Sequence, residues 1–316
     1  MSHKKHKTPK RNTWTGIADF VAMGLVGVTL LGFLGSFNWI LDLFAHFRVQ
    51  YMQLCLPLIG IYLWKRMNHK AIAVVLLAAL NYSLVLPFYF GKPAPAKEKP
   101  IRAMLLNLNA GNGNTDRVLA AIREYNPDIL LLEEVTPHWA TELRTLDADY
   151  AYKVAEPQDG CFGIMLLSKH PLKNGKMVEI GTASVPSITA TVYLPRGEIQ
   201  FFGTHPLPPI GRDYAAHRNN QLSELAIHAK GSHVLLMGDL NTSPWSPHFK
   251  TLLENSGLEN SMKGFGFQPT WPAGNPFMKI PLDHVLHSEE IIIHNRVVGG
   301  DVGSDHYPVV VDFSIR

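Results

Sequence analysis

Six short polar clusters border apolar runs in this 316-residue chain: Asn107-Leu108-Asn109, Glu133-Glu134, Thr204-His205, Asp239-Leu240-Asn241, Asp283-His284 and Ser304-Asp305-His306. Singly, each has a structural explanation, such as an Asn in a turn, a Glu at a helix start, an Asx-turn or a loop His. Together they place carboxylates, carboxamides and imidazoles at strand ends, where loops converge and chemistry tends to sit. A phosphoryl centre repels hydroxide, and its transition state spreads negative charge over several oxygens. Hydrolysis there calls for a hard cation and fixed donors. Oxygen ligands without cysteine suit Mg2+ or Mn2+ better than Zn2+.

The elements that must position these residues follow from hydrophobic periodicity after Ile101. Strands are expected over 102–107, 129–132, 163–167, 187–194, 199–204, 233–237, 284–286 and 307–313, and helices over 115–124, 214–228 and 246–254. Strands outnumber helices and many are adjacent in sequence. That pattern predicts two packed sheets with helices outside, a mixed α/β (α+β) layered domain without internal repeats.

In this order the clusters resemble the endonuclease/exonuclease/phosphatase superfamily, the deoxyribonuclease I-like fold, over residues 101–316. The GDLN at 238–241 and the GSDH at 303–306 carry most of the resemblance. It implies a four-layer sandwich of two mixed sheets flanked by helices, with metal-dependent phosphoester hydrolysis at one rim. By the same resemblance Glu134, Asn107 and Asp305 serve the metal, Asp239 orients or deprotonates the attacking water, and Asn241 steadies the phosphate. His306 is the catalytic imidazole, Asp283 orients it, His205 meets the phosphate or leaving group, and Asn109 binds substrate. The family's metal-binding Glu usually follows a Gln, where this chain has Glu133.

The first hundred residues are different. They hold 12 Lys+Arg against 3 Asp+Glu, while residues 101–316 hold 17 against 23. Uncharged runs at 20–37, 49–64 and 71–90 approach the ~20 residues a bilayer-crossing helix needs, and Phe44 to Phe47 can lengthen the middle one. Three spans are therefore expected in a membrane anchor over 1–90, followed by a Pro-rich linker over 91–100 and the catalytic domain over 101–316. Lys4, Lys5, Lys7, Lys10 and Arg11 before the first run put the amino terminus in the cytoplasm. Three crossings then place the domain on the extracytoplasmic face of a bacterial inner membrane. Without charge inside the runs, nothing marks a transport path. Gly24, Gly27, Gly32 and Ser36 would allow a close helix neighbour. Two cysteines, Cys55 and Cys161, exclude a disulfide framework and read as buried thiols.

An acidic catalytic domain lacks the basic field of a general nucleic-acid binder. An anchored enzyme meets bilayer-borne phosphate at raised local concentration, so a phosphorylated lipid is the expected partner. The architecture resembles bacterial membrane proteins associated with teicoplanin resistance, thought to hydrolyse polyprenyl pyrophosphates. A nuclease or a phospholipid-headgroup phosphodiesterase is the alternative. Arg212, His217 and Arg218, after the proline-rich stretch at 206–209, are candidate phosphate contacts. Trp271, Phe265, Phe267 and Phe277 are candidates for an apolar lip, and 160–163 reads as a tight strand entry.

Overall fold

A computed structural model describes residues 13–91, 95, 96 and 98–316. The basic residues Lys4, Lys5, Lys7, Lys10, Arg11, Lys92 and Lys97 lie outside the described residues.

The apolar amino-terminal runs form α1 (Thr13–Leu31), the short α2 (Trp39–Leu43), α3 (Arg48–Trp64) and α4 (Asn68–Val85). With their 3-10 extensions, Thr13–Leu34 and Asn68–Tyr89 are each 22 residues and apolar enough to cross a membrane. The helix between them has 17 residues and contains Pro57. Phe44 to Phe47 form a turn and do not lengthen it.

Two polar knots fix the helix directions. At one end Tyr62 Oη and Lys70 Nζ donate to Asp19 Oδ1 at 2.9 and 2.7 Å. At the other, Arg48 Nη1 donates to Thr29 O at 2.9 Å and Asn81 Nδ2 to Thr29 Oγ1 at 3.1 Å. Thus α1 and α4 run one way and α3 the other. Gly32 serves this packing, since an added Cβ would lie 2.6 Å from Arg48 Nη2.

From Ile101 the chain builds β1 (Ile101–Asn107), α5 (Thr115–Tyr125), β2 (Ile129–Glu133), α6 (Pro137–Glu142), β3 (Tyr152–Glu156), β4 (Ile164–Ser168), β5 (Leu172–Glu179), β6 (Pro186–Leu194) and β7 (Gly197–Thr204). It continues through α7 (Arg212–His228), β8 (Val234–Asp239), α8 (Pro247–Ser256), β9 (Glu259–Asn260), β10 (Asp283–His287), β11 (Ile291–Val298) and β12 (Val309–Ile315). One six-stranded sheet has the order β11-β12-β1-β2-β4-β3, the other β5-β6-β7-β8-β10-β9.

The inner faces meet in one core that includes Leu105, Leu131, Ile188, Phe201, Met237 and Phe313. Outside the first sheet, Val118 and Ile122 of the amphipathic α5 and Trp139 of α6 pack on Met104 and Leu132. Outside the second, Leu222 and Leu225 of α7 and Phe249 of α8 pack on Leu236. These are the four layers the sequence implies. Ser246 starts α8 by accepting from His248 N at 3.2 Å, as an N-cap serine does.

Candidate active site

Strand pairing brings the polar clusters to one rim. β1 and β2 are parallel, with Asn107 opposite Glu133, and β7 is parallel to β8. β10 runs antiparallel to β8, setting Asp283 opposite Asp239. The loop carrying Asp305 and His306 enters β12 beside the end of β1, whose Asn107 carbonyl accepts from Ser304 Oγ at 2.7 Å. Asn109, Glu134 and Asn241, just past three of these strands, have φ of 57°, 57° and 48°. Non-glycine residues in this region are uncommon and cluster at functional sites. Each turn swings a polar side chain off its sheet toward the rim.

The glycine of GDLN has a local reason as well. A Cβ on Gly238 would lie 1.9 Å from Thr204 O, where β7 and β8 run together. Gly238→Ala must therefore separate two central strands. It is expected to cost about 3 kcal/mol, read as a loss in thermal unfolding of the full chain.

Asp239 is at the centre. Its Oδ1 accepts from Asn241 N at 2.9 Å, and its Oδ2 accepts from Asn107 Nδ2 at 3.3 Å. His205 Nε2 and His306 Nε2 each lie 3.5 Å from that same Oδ2. His306 Nδ1 is 2.8 Å from Asp283 Oδ2, and Asp283 is fully buried. Burial works against charge on both imidazoles, yet neighbouring carboxylates win. Asp283 and Asp239 hold His306 up to about 10, and Asp239, hydrogen-bonded to His205, raises that imidazole above its ordinary value with help from Glu134. The reciprocal effect keeps Asp239 well below the usual carboxylate range despite its burial, chiefly through His306 and His205.

Asn107 Nδ2 also donates to Glu134 Oε1 at 3.0 Å, and Glu134 Oε2 accepts from Ala110 N at 2.9 Å. Asp305 accepts from Asn109 Nδ2 at 2.7 Å and from Trp271 Nε1 at 3.1 Å. The residues read from the motifs therefore converge.

Glu133 departs from the family pattern, and its surroundings explain how the departure is tolerated. It is fully buried. Its Oε2 accepts from Asp239 N at 2.9 Å, and its Oε1 has no partner. Burial, with Asp239 and Asp283 nearby, pushes its pKa well above the carboxylate range. A neutral carboxylic acid has nearly the shape of glutamine and, like it, offers both a donor and an acceptor, with one donor hydrogen where the amide has two. A raised acid pKa means that unfolding releases a proton once pH exceeds the unfolded value. Glu133→Gln is accordingly expected to raise the unfolding temperature more at pH 7 than at pH 4, relative to wild type.

The rim opens into a cavity of about 850 Å3. Glu134, His205, Asp239, Asn241, Asp305 and His306 line one side of it. Trp39, Leu43, His46 and Phe47 of the amino-terminal segment line it too, as do Pro208, Pro209, Ile210, Tyr214 and Trp271.

Three readings need correction. Arg218 is fully buried and does not line the cavity. Its Nη2 pairs with Asp42 Oδ2 at 2.6 Å and its Nη1 donates to Asn241 O at 3.0 Å. Arg212 is exposed in the first turn of α7, away from the cavity lining, and His217 Nδ1 sits 2.8 Å from Thr182 Oγ1. The proline-rich loop contributes apolar wall in place of cations. Cys161 is exposed and lines the cavity with Phe162, whose ring is 5.7 Å from that of His205. Gly163 is the tight position in that segment, with an added Cβ 2.0 Å from Val135 O. Of the proposed lip, Trp271 faces the cavity and Phe277 is 71% exposed, whereas Phe265 packs on the core and Phe267 stacks on Trp245.

The donor chemistry fits a divalent cation. Four carboxylates, Glu134, Asp239, Asp283 and Asp305, face two imidazoles within this site. The excess negative charge and all-oxygen donors on Glu134, Asn107 and Asp305 suit a hard ion. Asp239, Asp283 and His306 also bring ligand atoms within 4.8 Å of one another, but there the imidazole is already bound to Asp283.

A sequence profile described as the Endonuclease/Exonuclease/phosphatase family matches residues 104–306. Among solved structures, the human Nocturnin catalytic domain with bound sulfate is 20% identical, with a TM-score of 0.58 over 69% of this chain and 95% of that one. A humanized D. rerio TDP2 is 17% identical, with a TM-score of 0.57 over 69% of this chain and 100% of that one. The 3' phosphatase NExo from Neisseria, bound to product DNA hairpin, is 17% identical, with a TM-score of 0.56 over 68% and 99%. No curated protein matches the chain.

Proposed function

Since the chain belongs to the endonuclease/exonuclease/phosphatase family, whose members are metal-dependent hydrolases of phosphoester bonds, we propose that its substrate is a membrane lipid bearing a phosphoester or pyrophosphate. A polyprenyl pyrophosphate fits best. We further propose three crossings, with the domain on the extracytoplasmic side of a bacterial inner membrane. One observation carries the lipid reading: the catalytic cluster opens into a cavity whose other wall is Trp39, Leu43 and Phe47, from between the long apolar helices. Exposed Ile210 and Phe277, at 75% and 71%, add apolar surface on the catalytic side.

Glu134, Asn107 and Asp305 would hold Mg2+ or Mn2+, which when bound neutralises phosphoryl oxygens and favours attack on phosphorus. Asp239, depressed in pKa and fixed by four neighbours, orients the attacking water. Protonated His306 and His205 meet the negative oxygens, and Asp283 holds the His306 ring so that its Nε2 proton points toward Asp239 and the substrate. Asn241 donates to the phosphoryl group, and Asn109 keeps Asp305 in place. Nucleic acid is disfavoured by the acidic balance of 17 Lys+Arg to 23 Asp+Glu over residues 101–316.

The test is phosphate release from a polyprenyl pyrophosphate by full-length protein in detergent with Mg2+, beside a plasmid-nicking assay. Release without nicking is expected. EDTA abolishes it, and added Mg2+ restores it. Nicking without release would make the protein an anchored nuclease. Silence in both would point to a headgroup phosphodiesterase.

A further inference from the structure

The segment between α1 and α3 does more than wall the cavity. Asp42, on α2, is fully buried against the catalytic domain. Its Oδ2 accepts from Arg218 Nη2 at 2.6 Å and its Oδ1 from Ser246 Oγ at 2.7 Å. Arg218 is equally buried, and its fork reaches further. Nη1 donates to the main-chain carbonyl of Asn241 at 3.0 Å, while Nε and Nη2 hold Asn219 Oδ1 at 3.0 and 2.7 Å. Four residues along α2's exit, His46 Nδ1 accepts from Ser243 N at 3.2 Å and lies 2.8 Å from Ser243 Oγ. The loop leaving β8 is thus held directly by the amino-terminal segment at 243 and 246, and at 241 through Arg218, whose charge Asp42 balances.

That loop carries Asn241 in a left-handed conformation, φ 48°. Asparagine tolerates this region, but such a residue keeps it only where its surroundings impose it. Two bonds do so along the main chain: Asn241 N to Asp239 Oδ1 and Asn241 O to Arg218. The first belongs to the catalytic cluster. The second runs through a guanidinium whose charge is balanced by Asp42, 176 positions away. A buried arginine without that carboxylate would be severely penalised. Gly35 makes room for the arrangement, because a Cβ there would sit 2.9 Å from Asp42 Cα and 3.1 Å from Pro247 Cδ.

We propose that Asp42, acting through Arg218, is a positioning residue for Asn241, so that the amino-terminal segment is a working part of the active site and more than a tether. This rests on the reading of Asn241 as a phosphoryl donor. A side-chain amide displaced by about 1 Å loses much of its value for a transition state it must meet in one geometry.

Arg218→Lys tests the relay in the full-length protein. A lysine ammonium still pairs with Asp42 but has no fork to hold the Asn241 carbonyl as well. The Asp42→Leu/Arg218→Met pair removes both buried charges together, which proteins often tolerate without loss of stability. The expected result in Arg218→Lys is faster amide hydrogen exchange over residues 240–246 with β8 unchanged. In the same variant kcat on the polyprenyl pyrophosphate is expected to fall roughly tenfold to a hundredfold, with KM near wild type. Asn241→Ala should then cost far less in the Arg218→Lys background than in wild type, since the amide is already misplaced.

If Arg218→Lys unfolds, the paired variant carries the same three readouts. Unchanged exchange over 240–246, unchanged kcat, or an Asn241→Ala penalty equal in both backgrounds overturns the proposal. Absence of turnover of the polyprenyl pyrophosphate by the wild-type protein would instead defeat that choice of substrate, and the exchange comparison alone would then decide the relay.

Discussion

Asp239→Ala is expected to lower kcat about 10³-fold, within the range a positioned acid-base group supplies, while the chain remains folded. In the proposed mechanism the carboxylate orients the attacking water, and in the structure it is the neighbour shared by His205, His306 and Asn107. Removing it takes from His205 its hydrogen-bonded carboxylate, so burial pushes that imidazole toward neutrality, whereas His306 keeps Asp283 against Nδ1 at 2.8 Å and its charge stays balanced. The folded state survives with a weaker phosphate site. Phosphate release measured beside circular dichroism separates the two effects. A variant that keeps more than about a tenth of the wild-type rate would sink the role given to Asp239.

Asp283→Asn comes next, with an expected fall in kcat of about 10²-fold. The substitution keeps the volume, but its amide no longer favours a proton on His306 Nδ1 or the cationic ring. In wild type, burial opposes the cation and Asp283 and Asp239 overcome it, holding His306 near 10. A histidine raised above its unfolded value of ~6.5 contributes stability that is complete below that value. The contribution fades as pH climbs through about 10. Thermal unfolding should accordingly separate wild type from Asp283→Asn most at pH 6 and progressively less toward pH 10. The alkaline limb of the rate profile should move toward neutrality in the variant. An unmoved limb would mean that His306 does not work as a cation.

Why the motifs could be read so directly is itself structural. Asp239, Asn241 and His306 lie within a few residues of buried strands, so a polar turn at one end of an apolar run locates them, and strand pairing does the rest. The fold was legible for the same reason wherever strands were central. Edge and polar strands were not: β5, LKNGKMVE, is largely exposed and interrupted by a register shift, and β3 is an edge of its sheet. β11 was missed although it opens with three isoleucines, because HNRVV breaks the run at a register shift between Ile293 and Asn295.

Arg218 shows a deeper limit. A basic residue near a phosphate motif looks like a phosphate ligand until its partner is known, and that partner, Asp42, lies within the apolar third of the chain. Arg212 and Cys161 depart from expectation in a related way, since exposure depends on which loop folds over which, while Cys55 is buried as its apolar run implies. Among the described residues two helices satisfy the length and hydropathy of a membrane span, and α3, with 17 residues and Pro57, is shorter than either.

The junction between helices and domain has one more consequence. Trp245 Nε1 donates to Leu84 O at 3.0 Å, Gly264 N and Gly266 N to Phe88 O at 2.9 and 2.8 Å, and Gln50 Nε2 to Lys279 O at 2.7 Å. Every one of these contacts is made at the same end of the helix bundle, so the catalytic rim is held at one height and one tilt. If the substrate is the proposed lipid, it would arrive by sideways diffusion within a leaflet, and the rate would follow its mole fraction in that plane. Diluting the lipid substrate with inert detergent at constant bulk concentration should slow such an enzyme, whereas stirring or added volume should leave it indifferent.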